Sequence, residues 1–430
     1  MNIDVKIISP VERELHIERS WTEMESDYAV FTRKFAKDIA LPGFRKGKVP
    51  LSLIEKRYGP QIDLDFINEK FSDYYGEALK EKKLLPVNEP EILDWNFKKG
   101  DPLKISVKFE VMPDWDLPKY KDHISLENHQ HQIDDADVEE YLQRLRENAA
   151  EVTPVESGAK EGQHLIANIQ EIHGETEIIN ESEDTRIILG KAPFEGEALK
   201  QLLGVKAGET RDIRMKSPDK DHDHEHLYRI AVTAVEEHVL PELNDEFAKT
   251  VNPDTENLDA LKATIRKELE DYWNGQAAHK IEEDIADHFI DKMKDLSLPR
   301  SVVNEHANAI YEDIRKRYPS APELDKTAVL EQYGDTAEKS LKWQLVKNRI
   351  VRDEKLEVSD EDINARIDEM LKDVNAELRD TYGKYYQSPQ VRNQLQDDIV
   401  NRKIFEHIKS HAKIKNKKIT RMMRIKEPGK

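Results

Sequence analysis

Gly-Phe-Arg-Lys-Gly-Lys-Val-Pro, at residues 43–50, is the stretch that decides how the N-terminal part of this chain folds and what it presents. It places three cations and one aromatic ring between two prolines, Pro42 and Pro50, in a segment that two glycines keep bendable. Because these charges cannot be buried, we predict a surface loop. Residues 33–57 carry eight Lys or Arg and two Asp or Glu, whereas the whole chain has a net charge of -20. A basic loop on an acidic chain predicts an anionic partner, with nucleic acid or a nucleoprotein as the leading candidate.

Composition limits the classes of protein that this chain can be. Its 430 residues suffice for two to four domains, and 36% of them are charged. The chain has no cysteine, which excludes disulfides, thiolate catalysis and cysteine-bound zinc. No apolar run is long enough to span a bilayer, and the first ten residues lack a secretory signal, which predicts a cytoplasmic protein without membrane contact. No phosphate-binding Gly-x-x-x-x-Gly-Lys-Ser/Thr motif occurs, so nucleotide-driven cycling is not indicated.

The residues around the loop predict an α+β segment. Residues 3–17 have the alternating hydrophobicity of a strand, and Ser20 and Glu23 form a capping-box pair that marks the start of a helix. Apolar residues then follow on one helical face: Met24, Tyr28, Phe31, Phe35 and Ile39. A second helix is predicted at residues 62–83 and another strand at 105–111. The loop therefore follows one amphipathic helix and precedes another.

The composition and the predicted secondary structure change twice along the rest of the chain. Between residues 151 and 240, β-prone runs alternate with glycine-rich turns, and after Pro241 a helical period continues to residue 408. We predict a multidomain α+β protein whose segments are an N-terminal α+β domain (1–115), a linker containing one helix (116–149), a small β-rich domain (150–240) and an all-α C-terminal body (241–430). The basic tail, residues 413–430, either adds affinity for RNA or is a frayed, solubilising end, and the second interpretation is favoured.

These features resemble one protein family. A helix followed by Gly-Phe-Arg-Lys-Gly-Lys-Val-Pro and then by Tyr58-Gly59 is similar to the signature of trigger factors, the bacterial ribosome-associated chaperones. Residues 239–247 resemble the family's exit from its inserted domain, and residues 358–361 resemble the start of a late helix. The resemblance covers essentially the whole chain. It implies that the β-rich domain is inserted and similar to FK506-binding proteins, and that the helical body has two arms around a cradle.

The resemblance also implies a function and a site. Such chaperones dock on the large ribosomal subunit at the tunnel exit, against a ribosomal protein and rRNA, and hold nascent chains without ATP. Carried onto this chain, the ribosome-binding residues are Gly43, Phe44, Arg45, Lys46, Gly47 and Lys48. The resemblance further implies a bacterial cytoplasmic location and no cofactor, and it leaves open a homodimer away from the ribosome. The alternative is a solvated loop without a role, although an exposed phenylalanine among three cations argues against it.

The β-rich domain raises the question of enzymatic activity. Residues 188–190 and 203–209 resemble the FK506-binding type of prolyl isomerase, whose reaction needs a dry, aromatic-lined pocket. Only Phe194 is retained as a pocket candidate, because Glu195 and Ala198 stand where the family has apolar and aromatic residues. This departure predicts weak isomerisation at most. An active prolyl isomerase localised to the ribosome is the alternative function.

Two further groups of residues are weighed against plainer interpretations. His222, His224 and His226 alternate as metal ligands on a strand would, but they lie among acids in what is predicted to be a polar loop, so no metal is predicted. In the helical body, contacts with unfolded clients are predicted for four residues: Met293, Met370, Tyr382 and Tyr385. The alternative for each is that it packs one helix on another.

Overall fold

The computed structural model describes residues 1–173, 177–216, 225–319, 323–372 and 374–421. These residues form two compact units, one of residues 1–127 with 280–415 and one of residues 128–279 with 416–430. The predicted multidomain α+β architecture is confirmed. None of the described helices is both long and apolar enough to cross a membrane.

The N-terminal domain has a four-stranded antiparallel sheet and two helices. The strands lie in the order β1-β2-β4-β3, where β1 is Asn2–Ile7, β2 Glu12–Arg19, β3 Glu91–Asn96 and β4 Leu103–Glu110. Leu15 pairs with Val107, and Ile17 pairs with Ile105, in the antiparallel register of β2 and β4. All four are buried in one core with the apolar faces of α1 (Trp21–Asp38) and α2 (Leu51–Lys82). Alternation in β4 and helical spacing in α1 contribute to this core as the sequence predicts. The single strand predicted over residues 3–17 is two strands, β1 and β2, paired with each other.

The two helices differ in how well the sequence predicts them. The Ser20 backbone N–H donates to the Glu23 carboxylate at 2.9 Å, so the predicted capping box begins α1. The second helix begins at Leu51 instead of residue 62 and continues through Pro60. The predicted start is wrong because burial outweighs the hydrogen bond that proline cannot make. Ile54 and Ile62, on either side of Pro60, are both fully buried.

The segment predicted as a linker, residues 116–149, contributes to two hydrophobic clusters. Tyr120, Ile124 and Leu126 belong to the core of the helical body, with Phe289, Val346 and Ile404. Farther along, α3 (Asp135–Asn148) buries Val138 and Leu142 against α5 (Asp245–Val251) and the first part of α6 (Leu258–Lys292). The predicted helix is therefore present, and the segment is packed along much of its length.

The β-rich domain is an antiparallel sheet with one short helix. Its strands are β6 (Glu151–Pro154), β7 (His164–His173), β8 (Glu177–Ile188), β9 (Thr210–Lys216) and β10 (Glu225–Val239), and α4 is Glu197–Leu202. The order is β6-β10-β7-β8, and β9 also pairs with β10. Leu165, Ile213 and Ile230 are fully buried in the core of this sheet.

The helical body consists mainly of helices, and those from α6 onward are 11 to 35 residues in length. After α6 come α7 (Arg300–Arg317), α8 (Lys326–Glu354), α9 (Asp360–Lys372), α10 (Ala376–Tyr386) and α11 (Pro389–Ser410). One cluster joins α7 to α8 around Ala307, and another joins α9 to α11 around Ile367 and Ile399. These two clusters are separate from the one that holds Phe289.

The basic tail corrects a prediction. Residues Lys413–Ile419 form β11, which pairs with β5 (Ser125–His131), so this part of the tail is not a frayed end. The Lys413 N–H donates to the Ile124 carbonyl at 2.9 Å, and the Gln132 N–H donates to the Ile419 carbonyl at 2.9 Å. The sequence hides this strand because lysines dominate it and its partner is remote in the chain. Residues 422–430 lie outside the described part of the chain.

Candidate functional site

The backbone of the loop at residues 43–50 is held in a tight turn between α1 and α2. Gly43 and Gly47 have φ angles of +87° and +75°, which favour glycine. The Gly47 N–H donates to the Ile39 carbonyl at 3.2 Å, and a Cβ on Gly47 would lie only 3.1 Å from the Lys37 carbonyl oxygen. Val49 is buried in the domain core and fastens the other end. The two glycines, which the sequence analysis treats as points of bending, therefore occupy a defined turn in the structure.

The side chain of Phe44 lies at the surface beside α2. It is 42% exposed and lines an open cleft of ≈ 490 Å³ whose other lining residues are Leu41, Pro42, Leu53, Lys56 and Arg57. Leu53, Lys56 and Arg57 are three and four residues apart, so they lie on one face of the first turns of α2. Lys56 and Arg57 belong to the basic stretch noted in the sequence, but none of the three residues was predicted to share a helical face, because the helix was predicted to begin at residue 62. Their helical spacing directly after Pro50 was the sequence signal that could have identified them.

The cations of the loop remain available to a partner. Arg45, Lys46 and Lys48 are exposed, and Lys46 has an ion pair with Asp38 at 3.4 Å. Both partners of that pair are well exposed, so solvent screens it and little free energy is needed to break it. Within the described part of the chain, Arg45 and Lys48 have no acidic partner within ion-pair distance. Lys56 and Arg57 add two more cations, because they line the same cleft as the apolar side chains of Phe44 and Leu53.

The β-rich domain places its predicted pocket residue in the core. Phe194 is 9% exposed and packs in the hydrophobic cluster of the sheet. Glu195 beside it is exposed, and Ala198 is buried in the same cluster. Phe194 thus packs in the core of the domain, and neither Glu195 nor Ala198 beside it is aromatic. This arrangement does not favour the isomerase alternative.

The histidines of the β-rich domain are divided by the limits of the described residues. His222 and His224 lie outside them. The His226 Nδ1 lies 2.5 Å from the Glu171 carboxylate oxygen, which is an ion pair between neighbouring strands when the imidazole is protonated. The described residues gather no group of three or more His, Cys, Asp or Glu that could hold a metal ion.

The predicted client-binding residues separate into buried and exposed pairs. Met293 is 5% exposed in the core of the helical body, and Met370 is partly buried against the α9–α11 cluster. These two support the alternative that they pack helices together. Tyr382 and Tyr385 are 41% and 60% exposed on α10. Leu378, 50% exposed, completes an apolar stripe at positions i, i+4 and i+7. Leu378 was not among the predicted residues, because no helix was predicted at α10.

Comparisons with known proteins agree with the resemblance. Residues 1–145 match the model of the bacterial trigger factor protein, and residues 257–410 match that of the trigger factor C-terminus. The chain is 27% identical to the trigger factor of Hahella chejuensis over 98% of this chain and 95% of that one. It is 30% identical to the trigger factor of Bacillus cytotoxicus over 84% and 88% of the two chains.

A solved structure described as showing promiscuous substrate recognition by the trigger factor chaperone aligns with 95% of this chain and 99% of its own, with a TM-score of 0.48 and 19% identity. The assignment itself depends on the sequence relatives and the family models. The chain belongs to the trigger factor family.

Proposed function

We propose that this chain is an ATP-independent chaperone that docks at the exit of the ribosomal tunnel and holds nascent chains there. The observation that carries the proposal is the loop at 43–50, which presents an exposed Phe44 on a turn with two positive-φ glycines, next to exposed cations in the chain. Its partner would be a protein of the large subunit together with adjacent rRNA. The proposed location is the bacterial cytoplasm.

The chemistry of the loop suits such a composite partner. Lys and Arg neutralise rRNA phosphates or pair with acidic side chains, and they release condensed counterions when they do so. Phe44 and Leu53 offer an apolar centre that fits a small pocket on the ribosomal protein. An aromatic anchor inside a polar ring is a common arrangement of binding hot spots. The cations would thus supply attraction, and Phe44 would supply the specific contact.

Ribosome co-sedimentation tests this part of the proposal. Replacement of Phe44, Arg45 and Lys46 by alanine should abolish recovery in the ribosome pellet. A matched control replaces Lys80, Lys82 and Leu85 by alanine, which also removes two exposed cations and one exposed apolar side chain from the same domain. The control should pellet as the wild type does. Wild-type recovery of the loop variant would refute loop docking.

The client-holding role is proposed for the helical body, with the apolar stripe on α10 as one contact surface. Leu378, Tyr382 and Tyr385 are large, exposed side chains, and tyrosine adds apolar contact at little entropic cost. Scattered patches of this size give weak, multi-point contacts with unfolded chains without causing self-aggregation. We do not assign Met293 to this role, because its side chain is in the core.

An aggregation assay without ribosomes tests the second part. Replacement of Leu378, Tyr382 and Tyr385 by serine should weaken suppression of client aggregation and leave ribosome binding unchanged. The loop variant should behave in the opposite way. If the serine variant suppresses aggregation as the wild type does, α10 is not a client surface. If the loop variant also loses suppression, docking and holding are not separate functions.

Two finer proposals follow from the same surfaces. We propose that residues 1–115 dock, residues 116–149 connect, residues 150–240 form an inserted domain and residues 241–430 hold clients. Separate hydrophobic cores in residues 1–115 and 150–240 support this division. We also propose a homodimer away from the ribosome, because Phe44 and Leu53 are otherwise left in water. Sedimentation velocity of the wild type and of Phe44→Ala would test it, since the variant should shift toward monomer.

A further inference from the structure

A single carboxylate of the N-terminal sheet contacts the first turn of a helix in the body. Glu110 is the last residue of β4, and its two carboxylate oxygens accept hydrogen bonds from the backbone N–H groups of Arg300 at 3.2 Å and Ser301 at 2.9 Å. The Ser301 hydroxyl also donates to this carboxylate. Both parts belong to the same compact unit. The contact therefore joins the domain that carries the docking loop to the helical body.

The helix has no adequate cap of its own at this end. Its N-cap position is Pro299, which offers no side-chain acceptor, and its first turn contains no acidic residue. The free N–H groups and the positive end of the helix dipole favour an anion at this place. The acid comes from a residue 190 positions earlier in the chain.

Glu110 itself is held firmly on the sheet. Its backbone N–H donates to the Asn88 side-chain oxygen at 2.6 Å, and its carbonyl accepts from the Val87 N–H at 2.9 Å. The carboxylate thus projects from a fixed backbone on one side to fixed N–H groups on the other. Arg300 also lines an open cleft of ≈ 600 Å³ between α7 and α8, together with Leu298, Val303 and Leu330 among others. A movement at this contact would change the wall of that cleft.

We propose that Glu110 is a positioning residue that sets the placement of the packed helices α7 and α8 relative to the N-terminal domain. It does so by capping α7 across the junction between the two parts. The proposal goes beyond ribosome docking and client holding, and it does not depend on what the loop binds. In this proposal, the Glu110 side chain sets how the N-terminal domain, which carries the docking loop, is oriented relative to α7 and α8 of the helical body.

Distance measurements between two spin labels test the proposal on the full-length protein. Because the chain has no cysteine, labels can be placed on Asp101→Cys in the N-terminal domain and Lys316→Cys on α7 alone. The wild type should give a narrow distance distribution, and Glu110→Ala should lose it. Glu12→Ala is the matched control, since Glu12 pairs with Glu110 across the sheet and its carboxylate contacts Lys108 at 3.2 Å. The control should keep the narrow distribution.

A second variant separates positioning from simple helix stabilisation. In the Glu110→Ala background, Arg300→Glu returns a negative charge to the first turn of α7 from within the helix. This double variant should regain the thermal stability that Glu110→Ala loses, but it should not regain the narrow distance distribution. Either an unchanged distribution in Glu110→Ala or its full recovery in the double variant would overturn the proposal. Ribosome co-sedimentation should remain at the wild-type level throughout, because the loop is untouched, so failure of this inference is distinct from failure of the proposed function.

Discussion

Replacement of Phe44 by alanine should weaken ribosome binding by a factor that the structure allows us to estimate. The side chain is 42% exposed before docking. An aromatic side chain offers roughly 200 Å², so docking can bury about 80 Å² of additional apolar surface on Phe44. At about 25 cal/mol per Å² this burial contributes about 2 kcal/mol. The expected loss is therefore roughly 30-fold in Kd.

The assay is a titration of ribosomes with fluorescently labelled protein at several salt concentrations. Phe44→Ala should raise Kd by a similar factor at each salt concentration, because apolar burial is insensitive to screening at these ionic strengths. Arg45→Ala should instead reduce the slope of log Kd against log salt by about 0.7–0.9 if the guanidinium neutralises one rRNA phosphate. Leu85→Ala, 82% exposed in the same domain, is the control and should change neither quantity. A Kd for Phe44→Ala equal to that of the wild type would refute the anchor role, whatever the cations contribute.

Three other predictions concern local structure. Gly47→Ala should lower ribosome affinity more than Gly43→Ala does, because both glycines have positive φ but only a Cβ on Gly47 meets a carbonyl oxygen. Burial lowers the pKa of the His164 imidazole, and so does electrostatic repulsion from His238, whose ring centroid lies 3.7 Å from that of His164. The unfolded state therefore binds more protons than the folded state as pH falls below about 6.5. The thermal stability of the β-rich domain, measured by calorimetry, should fall over this pH range, and it should fall less in His164→Gln. Asp325 accepts from two backbone N–H groups at 2.9 Å at the start of α8, so Asp325→Ala should cost about 1 kcal/mol in urea unfolding and Asp325→Asn much less.

The parts of the fold that could be predicted from the sequence are those that short-range interactions determine. Ser20 and Glu23 contact each other across one helical turn, and the apolar face of α1 repeats at the helical period. The surface position of the loop at 43–50 was likewise implied by its three cations, and Arg45, Lys46 and Lys48 are exposed. In each case the interacting residues lie within a few positions of one another, so the sequence of this chain alone was sufficient for the prediction.

The parts that could not be predicted depend on contacts that are remote in sequence. Pro60 is an ordinary helix breaker until residues on both sides of it are buried in one core. Met293 is flexible and apolar, which suits a client surface as well as a core, and only its packing decides between the two. The lysine-rich β11 becomes a strand because β5 pairs with it. Local propensity cannot reveal such partners.

The two proposed contact surfaces differ in a way that fits their different tasks. The loop surface combines one apolar centre with several cations. It therefore attracts an anionic partner of complementary shape and repels a basic one. The α10 surface has the apolar residues Leu378, Tyr382 and Tyr385 on a helix whose two cations and two acids balance. A neutral, amphipathic face neither attracts nor repels clients by charge, so its contacts depend on exposed apolar area alone. A docking surface must recognise one partner, and a holding surface must accept many, so charge of one sign belongs on the first and charge balance on the second.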